Sequence, residues 1–212
     1  MKLNASSKIL SLLKRKYSHA HCELDFENPL QLLVGTILSA QCTDKRVNIV
    51  TNALFKKYKT ATDYLKVPVE ELENDIRSTG FYRNKTKSIQ GACRILVEKH
   101  GGKIPNDFDE LLQLPGIGRK SANVILGHTC GRPGVIVDTH VTRVSQRLGF
   151  TKQKDPVKIE YDLQKLIPQK EWTFVSDVLV FHGRYCCYAR KPNCPECPVL
   201  KLCPFEPKPR PT

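Results

Sequence analysis

The stretch LPGIGRKSANVILG, Leu114–Gly127, decides how the chain is read. Gly116 and Gly118 flank one apolar residue, Ile117, immediately ahead of an amphipathic run that opens with Arg119 and Lys120. Glycine reaches the backbone angles of a sharp turn and leaves no side chain over the amides. The first amides of a helix carry partial positive charge, so a turn of this kind is a phosphate site. DFDELLQL, Asp107–Leu114, supplies a short helix before the turn. The unit reads helix-hairpin-helix, about residues 107–130, a device that grips the DNA backbone without reading base sequence. Gly116, Ile117, Gly118 and Arg119 are its candidate contacts.

Lys120 falls in the first turn of the second helix. Alone, it is more readily a phosphate contact or a solvated charge than a reactive group. The positive helix end disfavours an ammonium, as does burial against a docked duplex, and a neutral amine is what a nucleophile must be. A partner is available in VDTHVTRV, Val137–Val144. Asp138 stands at an N-cap position. From Lys120 to Cys130 a helix advances about 15 Å at ~1.5 Å per residue. GRPG, Gly131–Gly134, turns the chain, and an extended segment to Asp138 recovers about 16 Å at ~3.3 Å per residue. Asp138 can thus return beside Lys120, and an amine with a carboxylate at a DNA-binding hairpin suits chemistry at a sugar carbon. His140 has no nucleophilic serine motif to accompany it, and reads as a polar helix-start residue able to contact a phosphate.

Five of the nine cysteines lie in CCYARKPNCPECPVLKLC, Cys186–Cys203. Cys187, Cys194, Cys197 and Cys203 give C-x6-C-x2-C-x5-C, from which four thiolates can converge on one metal centre. Tetrahedral zinc and a four-iron cluster both accept four cysteines, and spacing does not choose between them. Cys186 could replace Cys187 with a one-residue shift.

The rest of the chain agrees with a nucleic-acid partner. Lys and Arg number 34 against 21 acidic residues over 212, a formal net charge of +13, and the excess is spread along the sequence with a concentration at RNKTK, Arg83–Lys87. Charge of that size suggests a polyanionic partner. The longest apolar run, LLVGTILSA from Leu32 to Ala40, is far short of the ~20 residues of a membrane span, and no signal core opens the chain. An odd cysteine count, with Cys22, Cys42, Cys93 and Cys130 scattered, does not fit a secreted disulfide scaffold; a reducing, cytoplasmic setting is expected. The pattern is helical throughout: Leu30, Leu33, Val34, Ile37 and Leu38 behind Asn28-Pro29; Ile89, Ala92, Cys93 and Leu96; Val141, Val144, Ser145 and Leu148; Val175, Val178, Leu179 and His182; and a helix opened by Asp155-Pro156. VIV, Val135–Val137, is the one strand candidate. The expected fold is all-α, about ten helices without a sheet, with a disordered tail PFEPKPRPT, Pro204–Thr212.

The hairpin with Lys120, then Asp138, then this cysteine spacing resemble the endonuclease III family of DNA repair glycosylases, over nearly all 212 residues. LLVGTILSAQCTDKRVN, Leu32–Asn48, resembles that family's helix and wedge loop. The resemblance implies two helical lobes with DNA in the cleft between them, one of residues 22–132 and one of residues 1–21 plus 133–212. It implies a [4Fe-4S] cluster on Cys187, Cys194, Cys197 and Cys203, folding the YARKPN loop so that Arg190 and Lys191 meet DNA phosphates. It implies Lys120 as nucleophile and Asp138 as its partner in a bifunctional glycosylase and abasic-site lyase, acting as a monomer on duplex DNA with oxidised or ring-saturated pyrimidines or abasic sites. Gln41 matches the family's wedge and Phe81 stands for the opposite side, where the family more often has an aliphatic residue. Two alternatives stand beside this: the related adenine-mismatch glycosylase, which normally lacks this lysine and has a further C-terminal domain, and a non-catalytic DNA-binding module.

Overall fold

The structure, a computed structural model, describes residues 3–206. Its described residues form eleven α-helices: α1 Leu3–Lys16, α2 Pro29–Leu38, α3 Asp44–Lys57, α4 Ala61–Lys66, α5 Val69–Ile76, α6 Tyr82–His100, α7 Phe108–Leu112, α8 Arg119–Thr129, α9 Thr139–Arg147, α10 Pro156–Leu166 and α11 Trp172–Tyr185. Short 3₁₀ turns lie at Arg77–Thr79, Gln169–Glu171 and Leu200–Leu202. No strand occurs among the described residues, so the all-α expectation holds.

The helix starts follow local hydrogen-bonding rules. Asn28, Asp138 and Asp155 each accept an amide from the first turn of α2, α9 and α10, at 3.0, 2.7 and 3.0 Å, and proline follows two of them at the first helical position. Such caps satisfy amides that have no helical partner and each contribute roughly 1 kcal/mol.

The chain divides into two compact units, residues 22–132 and residues 1–21 with 133–212. In the first, α2 packs on α8 and α6, and α4 lies along α6. Leu32, Leu33, Leu38, Ile89, Cys93, Leu96, Leu111 and Ile125 are its buried centre. In the second, α9 and α1 pack against α11, and Leu13, Val141, Val144, Leu148, Leu163, Val175 and Val178 interlock. Full burial of each such side chain stabilises by about 1.5–3 kcal/mol. The apolar spacings read from the sequence are therefore the core-facing stripes of α6, α9 and α11.

Val135–Val137 is extended and buried but pairs with no strand. The amide of Ile136 donates to the Ser176 hydroxyl at 2.9 Å and that of Gly134 to the Thr173 hydroxyl at 3.2 Å, both on α11. A helix surface thus takes the place of a neighbouring strand and fixes the register two residues before Asp138. Part of the expected disordered tail is engaged: the Arg147 guanidinium lies 4.5 Å from the centre of the Phe205 ring. Residues 207–212 of that tail lie outside the described residues. No described helix is long and apolar enough to cross a membrane.

Candidate functional site

In the unit of residues 22–132, α7 and α8 frame the hairpin. Asp107 caps α7 by accepting the amides of Asp109 and Glu110 at 2.9 and 3.1 Å. Gly116 has φ +82°, and a Cβ there would stand 2.9 Å from the Ser88 Cβ. Only glycine fits without displacing α6. Gly118 has φ −100° and open space around it. It caps α8 without a side-chain hydrogen bond, leaving the helix end uncovered by a side chain of its own. Ile117 contributes differently from its neighbours: its side chain is buried and its amide donates to the Leu114 carbonyl at 3.0 Å. It therefore packs the turn, and offers a phosphate neither side chain nor amide. Arg119 rests its guanidinium 5.0 Å from the centre of the Phe108 ring. Lys120 is exposed in the first turn of α8.

Two further expected contacts in this unit share an unusual backbone. Gln41 has φ +53° and Phe81 φ +47°, both exposed, Phe81 by 62%. Left-handed conformations cost L-residues roughly 1–2 kcal/mol and concentrate at functional sites. Lys191, φ +49°, is the only other non-glycine residue with positive φ among the described residues, so all three belong to the candidate DNA contacts. Lys85, counted in the basic run of Arg83–Lys87, is not solvent charge: it is 4% exposed, and its ammonium donates to the Leu38 and Thr79 carbonyls at 2.8 Å each.

In the other unit, Asp138 is half-buried, its carboxylate accepting the Val141 amide. It lines an open pocket with Thr139, Thr142, Arg143, Gln146 and Lys154. Arg143 donates to the carbonyls of Gly183 at 2.9 Å and Cys187 at 3.2 Å, and sits 3.2 Å from His140 Nδ1. A guanidinium can only donate, so Nδ1 is the acceptor and Nε2 carries the ring proton. His140 thereby keeps an N–H donor of the kind a phosphate accepts.

All five C-terminal cysteines line one pocket, with Arg147, His182, Pro192, Asn193 and Phe205 among the other walls. Sγ of Cys197, Sγ of Cys186 and a ring nitrogen of His182 lie within 4.8 Å of one another. His182 is buried, with Nδ1 3.2 Å from the Tyr17 hydroxyl and Nε2 3.9 Å from Cys197 Sγ. Hydrogen bonds from Cys186 and then His182 hold the Cys197 thiol well below the usual thiol range. Cys186 is pushed up by the same bond to Cys197 and by burial, so it keeps its proton. Cys194 is raised by burial and then by the neighbouring thiols. Four thiolates this close cannot all ionise by themselves, and a cationic metal core relieves that repulsion. The pocket offers more sulfur donors than the four a four-thiolate group takes, and Cys186 is among the three donors that already stand within 4.8 Å of one another.

Arg147 was not singled out in the sequence, yet it organises this loop. Its guanidinium donates to Cys187 Sγ at 3.3 Å and to the carbonyls of Tyr188 and Ala189 at 2.6 and 3.0 Å. The next two residues are Arg190 and Lys191, both exposed. The available signal was register: His140, Arg143 and Arg147 fall at i, i+3 and i+7 on one face of α9.

The profile of a family described as HhH-GPD superfamily base excision DNA repair protein matches residues 34–169. The chain is 54% identical over 204 residues to endonuclease III of Synechocystis sp., covering 96% of this chain and 93% of that protein. It is 51% identical over 188 residues to endonuclease III of Bacillus subtilis, covering 88% and 86%. Among solved structures it is similar to a trapped endonuclease III–DNA covalent intermediate, with TM-score 0.92, 48% identity and 96% of each chain covered.

Proposed function

The chain belongs to the endonuclease III family of the HhH-GPD superfamily, and from that premise we propose how it acts as a base-excision repair DNA glycosylase and abasic-site lyase. The substrates are duplex DNA carrying oxidised or ring-saturated pyrimidines, and abasic sites. The chain works as a monomer in the cytoplasm. Gly118 and the first turn of α8 hold the phosphate backbone, with Arg190, Lys191 and His140 as further contacts. The target nucleotide leaves the stack, because its sugar carbon is out of reach inside it. Gln41 and Phe81 fill the two sides of the gap.

Chemistry then runs through Lys120 and Asp138. The neutral Lys120 amine forms a bond to C1′ as the C1′–N bond to the damaged base breaks, and the base leaves with a proton. The Asp138 carboxylate stabilises the positive charge on the sugar and takes up protons. Ring opening gives an imine between Nζ and C1′. Loss of a C2′ proton expels the 3′-phosphate, nicking the strand on the 3′ side, and water releases Lys120. Cys187, Cys194, Cys197 and Cys203 would hold a [4Fe-4S] cluster, whose four thiolate bonds would make the Arg190–Lys191 loop rigid.

The observation that carries this reading is Lys120, exposed in the first turn of α8 directly behind the glycine-capped turn. Borohydride tests it: protein mixed with a thymine glycol duplex and reductant should give a covalent protein–DNA band. Lys120→Gln should abolish the band and the nick while keeping lesion affinity. Base release by the native chain without trapping would instead make water the nucleophile, as would suit a monofunctional relative.

A further inference from the structure

Lys85 and the two left-handed residues belong to one local construction. α2 ends at Leu38, and its last carbonyls lose their helical partners where the chain turns away. The Cys42 amide, which a continuing helix would give to Leu38, donates instead to the Ser39 carbonyl at 3.1 Å. The Leu38 carbonyl is left to Lys85. The 3₁₀ turn Arg77–Thr79 ends in the same way, and Lys85 takes the Thr79 carbonyl. One cation therefore caps two helix C-termini, the ends where a positive charge is favoured. Three residues beyond Leu38 comes Gln41, and two beyond Thr79 comes Phe81. Phe81 stands at the N-cap of α6 and makes no side-chain cap, and the Lys85 amide donates back to the Phe81 carbonyl at 3.0 Å.

We propose that Lys85 is a positioning residue for base extrusion: its buried ammonium, held by the Leu38 and Thr79 carbonyls, locks together the turns that carry Gln41 and Phe81 and so sets the spacing of the wedge. A lysine is rarely buried to this degree, and burial lowers its tendency to hold a proton. An apolar residue would fill the space more cheaply but leave two buried carbonyls without donors. The proposal rests on Gln41 and Phe81 being the wedge.

The test uses the full chain and a duplex with one thymine glycol beside a 2-aminopurine, whose fluorescence rises as its neighbour unstacks. Lys85→Met should slow that rise roughly tenfold, since it leaves the two buried carbonyls without their donor. Affinity for undamaged duplex should change by less than about twofold. In a Gln41→Ala/Phe81→Ala background, the same change should add less than about twofold, because coupled residues are not additive. An unchanged rise, or an equal fall in both backgrounds, overturns the proposal. If Lys85→Met does not fold, Lys85→Arg carries the test, keeping a charged donor on a differently shaped head. A slower rise that vanishes in the double-alanine background supports the role, and a wild-type rise makes Lys85 a core staple only. Failure of the wedge reading shows separately, as a Gln41→Ala/Phe81→Ala protein that extrudes at the native rate.

Discussion

Cys186 and Cys187 are neighbours in the chain with different tasks. Cys186 is buried, and its thiol, the donor to Cys197, also lies 3.5 Å from the Asn193 carbonyl. Cys187 is half-buried and accepts from Arg147. Spacing left the choice between them open, because a one-residue shift is invisible to a motif. Directions of hydrogen bonding separate them. Cys186→Ser keeps a small donor at that point, so the purified variant should retain about four irons per chain. Cys194→Ser removes one of four thiolates and should lose the iron, measured by metal analysis and visible absorbance. A native chain holding one zinc and no iron would sink the cluster assignment. Asn28, Asp138 and Asp155 were legible as caps because a cap is a contact within three residues. Lys85 was not: its acceptors lie 47 and 6 residues away, and nothing in RNKTK marks the inward-facing lysine. The positive φ of Gln41 and Phe81 was equally hidden, since neither residue type announces that conformation.

The hairpin is the element whose sequence said most. Its two glycines answer to different constraints, and the difference predicts how they respond to change. Gly116→Ala forces a left-handed alanine against Ser88 and should cost the fold about 1–3 kcal/mol in denaturant unfolding. Gly118→Ala meets open space at an ordinary φ and should stay within about 0.5 kcal/mol of the native chain. Its effect should appear as weaker duplex binding, because a methyl group now stands at the helix end. Equal stability of the two variants would show that the Ser88 approach does not constrain the turn. Val135–Val137 was legible as extended chain but not in its pairing, because the hydroxyls that satisfy it come from Thr173 and Ser176, about forty residues later.

At the scale of the molecule, the +13 charge pointed to the right class of partner, since a chain of this family works on DNA. How that charge is used depends on the fold. Lys57 is bound to Glu71 and Asp75 at 2.6 and 2.8 Å, and Lys14 to Glu171 at 2.8 Å, so the composition overstates what is free to meet phosphate. Enough remains to make binding electrostatic. Affinity for undamaged duplex should fall at least roughly a hundredfold between about 50 and 200 mM salt, with log K linear in log salt. Flat binding across that range would reject the electrostatic reading.

The bond between Tyr17 and His182 joins residues 165 positions apart, and it has a consequence for how the protein is made. Residues 22–132 form a unit from one continuous segment, whose internal contacts can form once that segment has left the ribosome. The apolar face of α1 waits, through the whole of that interval, for α11 and the cysteine loop to be translated. A helix synthesised before residues 22–132 is thus among the last to be buried, and during nascent-chain growth Ile9, Leu13 and Tyr17 form an exposed apolar stripe that a chaperone would meet before their own core exists.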